Sequence, residues 1–209
     1  MTTSYAPAER AALADTLAGL DPAAPTLCPP WRARDLAAHV VLREHRPDAA
    51  LGIAVRPLAG HTQRVQDGIA AGDYAALVDR VRRGPAPWWP TRIPQLREAA
   101  DLVELVIHHE DLRRAQPGWE PRELPAGVED ALWARVPGLA KRLGRRAPAT
   151  VALRRSGSPD VVEVGSGERR VVVEAAPVEL LLLAFGRGRA ARLVVEPADT
   201  PVAEWFSGP

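Results

Sequence analysis

The chain has 209 residues, a length that suits one large domain or two small ones. Its apolar share of 46% and charged share of 25% are those of an ordinary globular protein. A formal net charge of +1 argues against a general nucleic-acid binder, because affinity for a phosphate backbone requires a concentrated positive field. Cys28 is the single cysteine, so an internal disulfide is excluded.

Targeting and membrane signals are weak in this sequence. The first ten residues lack the basic and apolar regions of a signal peptide. The longest apolar run, residues 180–185, is too short to cross a bilayer. We therefore expect a cytoplasmic monomer or homodimer that binds neither membranes nor nucleic acid.

Helical periodicity dominates the chain up to about residue 147. Apolar residues recur at the spacing of one helix face, and proline or glycine punctuates the segments. The pattern predicts helices at residues 8–20, 32–44, 61–83 with a break near Gly72, 94–115, and 128–143. A stiff, proline-bracketed loop containing Trp88 and Trp89 is predicted at residues 85–90.

After Pro148 the pattern changes to short runs rich in β-branched residues, which indicate strands. The predicted strands are residues 151–155, 161–164, 169–174 and 192–196, and a buried helix is predicted at residues 177–185. The sequence therefore predicts an α+β protein, with a helical domain over residues 1–146 and a small α/β domain over residues 147–209.

Glu104 and His108 stand one turn apart in the helix predicted at residues 94–115. Side chains at i and i+4 share a helix face, so this pair could hold a divalent metal if a third ligand joined it. His39, in the helix predicted at residues 32–44, is the best source of that ligand. Two histidines and one carboxylate suit catalytic zinc, or nickel, iron or manganese. The alternative is an ordinary amphipathic helix whose polar stripe faces water.

Other polar side chains receive secondary assignments. Asp35 and Asp111 are candidates to orient a ligand imidazole, since such carboxylates commonly bind the second ring nitrogen. His61 is a remote candidate for a fourth ligand. His109 lies about 100° around the helix from His108, which predicts a packing or surface residue. Cys28 is predicted to be a small buried apolar residue.

Two segments resemble the DinB-like superfamily, and within it the mycothiol-dependent maleylpyruvate isomerase group of actinobacteria. They are Cys28-Pro-Pro-Trp-Arg-Ala-Arg-Asp-Leu-Ala-Ala-His39 and Glu104-Leu-Val-Ile-His-His-Glu-Asp111, although Pro30-Trp31 replaces the usual Gly-Trp. The resemblance covers essentially the whole chain. It implies a DinB-like four-helix bundle followed by a small sterol-carrier-like α/β domain.

The same resemblance implies functional residues and cofactors. The metal triad of the family falls on His39, Glu104 and His108, with zinc as the metal and mycothiol as the thiol cofactor. An arginine of the C-terminal domain is expected near the active site. Arg187 is its nearest match, and Arg189 is the rival.

Three functions compete on these grounds. The first is a metal-dependent enzyme that activates a low-molecular-weight thiol for isomerisation or S-transfer to an electrophilic small molecule, with Arg187 or Arg43 binding a carboxylate. The second is a non-catalytic protein that binds a metal or a small ligand. The third is a metal-dependent hydrolase with Glu110 or Asp111 as its base.

Overall fold

The computed structural model of the chain describes residues 4–85, 94–144 and 147–206. The loop predicted around Trp88 and Trp89 lies outside the described residues. The chain divides into two compact units, Met1–Glu120 and Pro121–Pro209. The prediction of mixed helix and sheet is confirmed, with helices first and the strands after residue 149.

The described part of the first unit is helical. Its helices are α1 (Ala6–Ala18), α2 (Ala33–His45), the short α3 (Pro47–Ala50), α4 (Ala59–Ala70), α5 (Tyr74–Arg83) and α6 (Pro94–Arg113). Helix α1 packs against α5 and α6, while α2 packs against α4 and α5. The core between them is filled by fully buried leucines, including Leu13, Leu36, Leu105 and Leu112.

Local signals set the ends of the helices that carry the site. At the start of α2, the backbone N–H of Arg32 donates to Asp35 Oδ2 at 2.8 Å, which satisfies an otherwise unpaired donor. The break predicted near Gly72 is confirmed, because Asp73 accepts from the Ala76 N–H and caps a new helix, α5. Gly84, with φ of 69°, ends α5 in a conformation that favours glycine.

A buried ion pair between Arg10 and Glu44 connects α1 and α2. Arg10 Nη1 lies 2.8 Å from Glu44 Oε2, and Nη2 binds the other carboxylate oxygen, so the pair is bidentate. Arg10 Nη1 also donates to the backbone carbonyl of Val81 in α5, at 3.2 Å. Burial raises the pKa of Glu44 despite the adjacent guanidinium, which reflects the cost of keeping this charge away from water.

The second unit is built around a four-stranded sheet. Its elements are α7 (Ala126–Trp133), α8 (Val136–Gly144), β1 (Thr150–Arg155), β2 (Val161–Val164), β3 (Arg170–Ala175), α9 (Pro177–Ala184), β4 (Val194–Glu196) and α10 (Val202–Trp205). The strand order is β2-β1-β3-β4, with β1 and β3 parallel and both edge pairs antiparallel. Helices α7 and α8 pack on α9, whose leucines are buried.

Residues 126–144 form two helices instead of one. The prediction of a single helix at residues 128–143 is wrong, because the helix is interrupted between Trp133 and Val136. Pro137 explains the break, since its ring would clash with the carbonyl four residues earlier in a continuous helix. Helices α7 and α8 group with the second unit, and the domain boundary at residues 146 and 147 stays a prediction.

Among the described residues, no helix combines the length and apolar character that crossing a membrane requires.

Candidate metal centre

Helices α2 and α6 bring His39, Glu104 and His108 together. Nε2 of His39 lies 3.3 Å from Glu104 Oε1, and Nε2 of His108 lies 3.2 Å from the same oxygen. Both histidines are buried, whereas the Glu104 side chain is 26% exposed. The three side chains therefore form a cluster that could hold a metal ion, with a partly open carboxylate side.

The spacing of these donor atoms suits one divalent ion. Bonds of about 2.0–2.2 Å to nitrogen and oxygen place neighbouring ligand atoms about 3.0–3.5 Å apart in tetrahedral or octahedral geometry. The two nitrogen-to-oxygen separations at Glu104 fall in that interval. The imidazole rings of His39 and His108 meet edge to face with centroids 5.1 Å apart, so both can turn a nitrogen toward the carboxylate.

The other ring nitrogen of His108, Nδ1, also has a hydrogen-bond partner. Its Nδ1 lies 3.1 Å from Oδ2 of Asp111, a fully buried carboxylate one turn along α6. This contact matches the expectation that Asp111 orients an imidazole. A carboxylate on Nδ1 fixes the ring and leaves Nε2 as the nitrogen that is available to a metal.

Cys28 and Trp31 also belong to the surroundings of the cluster. Cys28 Sγ lies 3.0 Å from Asp111 Oδ2, so its thiol is hydrogen-bonded and half-buried rather than a purely apolar residue. The Trp31 ring lies 4.8 Å from the His39 ring and 6.4 Å from the His108 ring, between centroids. Sequence spacing did not assign either residue to the site, and their presence in the Cys28-to-His39 motif was the available signal.

Arg43 lies beside Glu104, the most exposed member of the cluster. Its Nη1 lies 3.0 Å from Asp101 Oδ1, and its Nε lies 3.7 Å from Glu104 Oε1. Burial alone would raise the pKa of Glu104. The hydrogen bonds from His108 and His39 and the charge of Arg43 outweigh burial and hold that pKa well below its usual range. Glu104 is therefore an anion at neutral pH, as metal binding requires.

The two imidazoles differ in protonation. Burial lowers the pKa of His39, an effect only partly offset by its hydrogen bond to Glu104. Burial acts in the same direction on His108, but hydrogen bonds with Asp111, Cys28 and Glu104 overcome it and raise the pKa of His108 well above 6.5. His39 is thus neutral, whereas His108 must release a proton before its Nε2 can bind a metal.

Three candidate residues have other partners in the structure. Asp35 caps α2 instead of orienting an imidazole. His61 binds Asp48 at 3.0 Å on the surface, and the clusters of metal-ligating groups found among the described residues do not include it. Glu110, the hydrolase base candidate, forms ion pairs with Arg114 at 2.6 Å and Arg113 at 3.3 Å.

His109 has a structural environment of its own. Nδ1 lies 2.7 Å from Glu9 Oε1, and Nε2 lies 2.8 Å from Thr16 Oγ1, both on α1. The ring is almost completely buried, so of the two predicted alternatives, packing or surface, the structure has the first. His109 joins α6 to α1, while its neighbour His108 faces α2.

The candidate arginines Arg187 and Arg189 lie in the second unit, just after α9. The Arg187 guanidinium donates to the backbone carbonyl of Phe185. Arg189 is largely exposed and lies 3.7 Å from Glu204. The approach of Arg187 to the active site stays a prediction.

Comparison with known proteins bears on the fold. No family model matches the chain, and no curated protein sequence does either. A crystal structure of the mycothiol-dependent maleylpyruvate isomerase is similar, with a TM-score of 0.65 and 16% identity over 94% of this chain and 92% of that one. A histidine-to-alanine variant of that isomerase gives a TM-score of 0.64 and 15% identity over the same shares. The chain therefore shares the fold of that isomerase as a distant structural relative.

Proposed function

We propose that the chain is a metal-dependent enzyme in which His39, Glu104 and His108 hold one divalent ion. The convergence of two imidazole nitrogens on one carboxylate oxygen carries this proposal. Two histidines and one carboxylate leave coordination positions for another ligand, as catalytic centres do. Zinc is the expected metal, and nickel, iron or manganese would suit the same donors.

The residues around the triad have separate roles in this proposal. Asp111 fixes the ring of His108, and Arg43 steadies the Glu104 carboxylate by charge. The Trp31 ring packs beside the His39 ring. When bound, a divalent cation would supply the positive charge that favours the thiolate form of a thiol at neutral pH.

In the proposed reaction, the enzyme activates a low-molecular-weight thiol that reacts with an electrophilic small molecule. The outcome is either isomerisation of that molecule or S-transfer to it. The fold shared with a mycothiol-dependent isomerase supports mycothiol as the thiol. We extend the proposal to a DinB-like four-helix bundle as the metal-binding part and a sterol-carrier-like α/β domain. Arg187 would bind a carboxylate of substrate or thiol, and Arg43 is the second candidate for that role.

Elemental analysis and thiol kinetics together test this function. We expect about one metal ion per chain, and we expect mycothiol to consume an activated alkene faster in the presence of the protein than in its absence. Glutathione serves as the comparison thiol. Dialysis against a chelator should abolish the acceleration, and added zinc should restore it. Metal-loaded protein that leaves every thiol at its uncatalysed rate would contradict the enzymatic function.

The raised pKa of His108 gives a pH dependence to metal binding. His108 Nε2 must lose a proton, so metal affinity should rise about tenfold per pH unit until pH passes the pKa of His108. Because that pKa lies above 6.5, the rise should continue above pH 6.5, while His39 competes for protons only at lower pH. Competition titration with a chelator of known pH response measures this. An affinity that is already constant at pH 6.5 would contradict the expected protonation of His108.

A further inference from the structure

A second group of side chains lies on the Nδ1 edge of His108. Cys28 Sγ, a ring nitrogen of His108 and an Asp111 carboxylate oxygen all lie within 4.8 Å of one another. Cys28 and His108 both contact the same oxygen, Asp111 Oδ2, at 3.0 Å and 3.1 Å. We call Cys28, His108 and Asp111 the Nδ1 cluster.

We propose that Cys28 is a positioning residue of the metal centre. Its S–H donates to Asp111 and keeps that carboxylate turned toward His108 Nδ1. The ring of His108 is thereby held with Nε2 toward Glu104 and His39. Because this role presupposes the three metal ligands, it rests on the proposed function and deepens it.

The burial of Asp111 explains why a second donor matters. An ionised carboxylate that is fully buried is costly unless its oxygens accept hydrogen bonds. The His108 N–H supplies one bond and the Cys28 thiol supplies another, and both are directed at Oδ2. Loss of the thiol would remove one of the hydrogen bonds that hold the Asp111 carboxylate, and the orientation of His108 depends on Asp111.

The backbone holds Cys28 at this position. The N–H of Leu27 donates to the carbonyl of Asp111 at 2.9 Å, so the loop before α2 is attached directly to α6. Thr26 Oγ1 accepts from the Cys28 N–H at 3.1 Å and donates to the Trp31 carbonyl at 2.9 Å. One short loop therefore places a thiol at the Nδ1 edge of His108 and an indole ring beside His39.

The geometry favours positioning over two other roles for the thiol. The two nitrogens of an imidazole lie on different edges of the ring. Cys28 binds the carboxylate oxygen that contacts Nδ1, whereas Glu104 Oε1 contacts Nε2. A nucleophile would instead need to face the open positions on the Nε2 side. A metal bound by Cys28 would have to displace the hydrogen bond between His108 Nδ1 and Asp111, which orients the ring.

Cys28→Ala and Cys28→Ser form a matched pair for the test. Alanine removes the donor, whereas serine has nearly the same volume as alanine and keeps an O–H donor. We expect Cys28→Ala to bind zinc about tenfold more weakly than wild type. This loss is at the lower end of the affinity losses seen when a group that orients a metal ligand is removed. Cys28→Ser should stay within about threefold of wild type by the same reasoning. Competition against a chromophoric chelator gives the affinities, and the visible spectrum of the cobalt-loaded proteins reports ligand geometry.

The outcomes separate the two proposals. Weaker binding in Cys28→Ala together with rescue in Cys28→Ser supports the positioning role. Equal affinities in all three proteins would overturn it while leaving the metal site intact. A sulfur-to-metal charge-transfer band in cobalt-loaded wild type, lost in Cys28→Ser, would overturn it in favour of Cys28 as a ligand. Wild type that binds no metal would instead overturn the proposed function. If Cys28→Ala fails to melt cooperatively, Cys28→Val replaces it as the donor-free variant.

Discussion

His108→Ala is expected to abolish metal binding with the fold of the first unit retained. His108 contributes the nitrogen 3.2 Å from Glu104 Oε1, and two ligands would remain on different helices. Loss of groups that merely orient a ligand costs about 10–100-fold in metal affinity, so loss of the ligand itself should cost more than about 100-fold. Elemental analysis after dialysis and competition titration measure the loss, and the thiol-dependent rate should fall with it.

Retention of the fold can be checked independently. Alanine is the best helix former, so α6 should persist, although Asp111 loses a hydrogen-bond partner at a cost of about 1–3 kcal/mol. His61→Ala is the matched control, because His61 is exposed and bound to Asp48. It should keep its metal and its melting temperature. Full metal occupancy in His108→Ala, or equal metal loss in His61→Ala, would rule out the proposed ligand set.

Glu44→Ala should produce the largest loss of stability from a single substitution proposed for this chain. It would leave the Arg10 guanidinium buried without its bidentate partner. Removing one member of a buried ion pair costs about 3–5 kcal/mol, because the remaining charge is uncompensated. Denaturant unfolding of metal-free protein, followed by circular dichroism, measures the change in the free energy of unfolding.

Two further variants isolate the cause of that loss. Glu163→Ala removes an ion pair with Arg170 in which both side chains are more than half exposed, and it should cost only about 0–1 kcal/mol. Arg10→Met combined with Glu44→Leu replaces both charges with apolar groups, and it should recover most of the stability lost in Glu44→Ala. Similar losses in Glu44→Ala and Glu163→Ala would show that burial of the pair is not the cause.

Local sequence patterns predicted the parts of the structure that depend on local interactions. Strand β2 has the predicted ends, and α6 begins at the predicted Pro94. The face shared by Glu104 and His108 followed from helix geometry alone. His39 was predicted as the third ligand, and the structure brings the three side chains together.

Features that depend on distant contacts could not be predicted in the same way. Cys28 and Asp111 are 83 residues apart, and no periodicity relates a loop cysteine to a helical aspartate. His109 and Glu9 are separated by 100 residues, so the burial of that imidazole depends on how α1 packs. The break before α8 was different in kind, since Pro137 was a visible local signal that the helical periodicity obscured.

The adjacent histidines of α6 define the rotation of that helix about its axis. His108 points to α2 and His109 to α1, about 100° apart, and each is held by hydrogen bonds. Inserting or deleting one residue within residues 101–111 would rotate the side chains on one side of the change by that angle, away from their partners on α1 and α2. Length variation among related chains should therefore fall in the loops, while the ten-residue interval from Asp101 to Asp111 keeps its length.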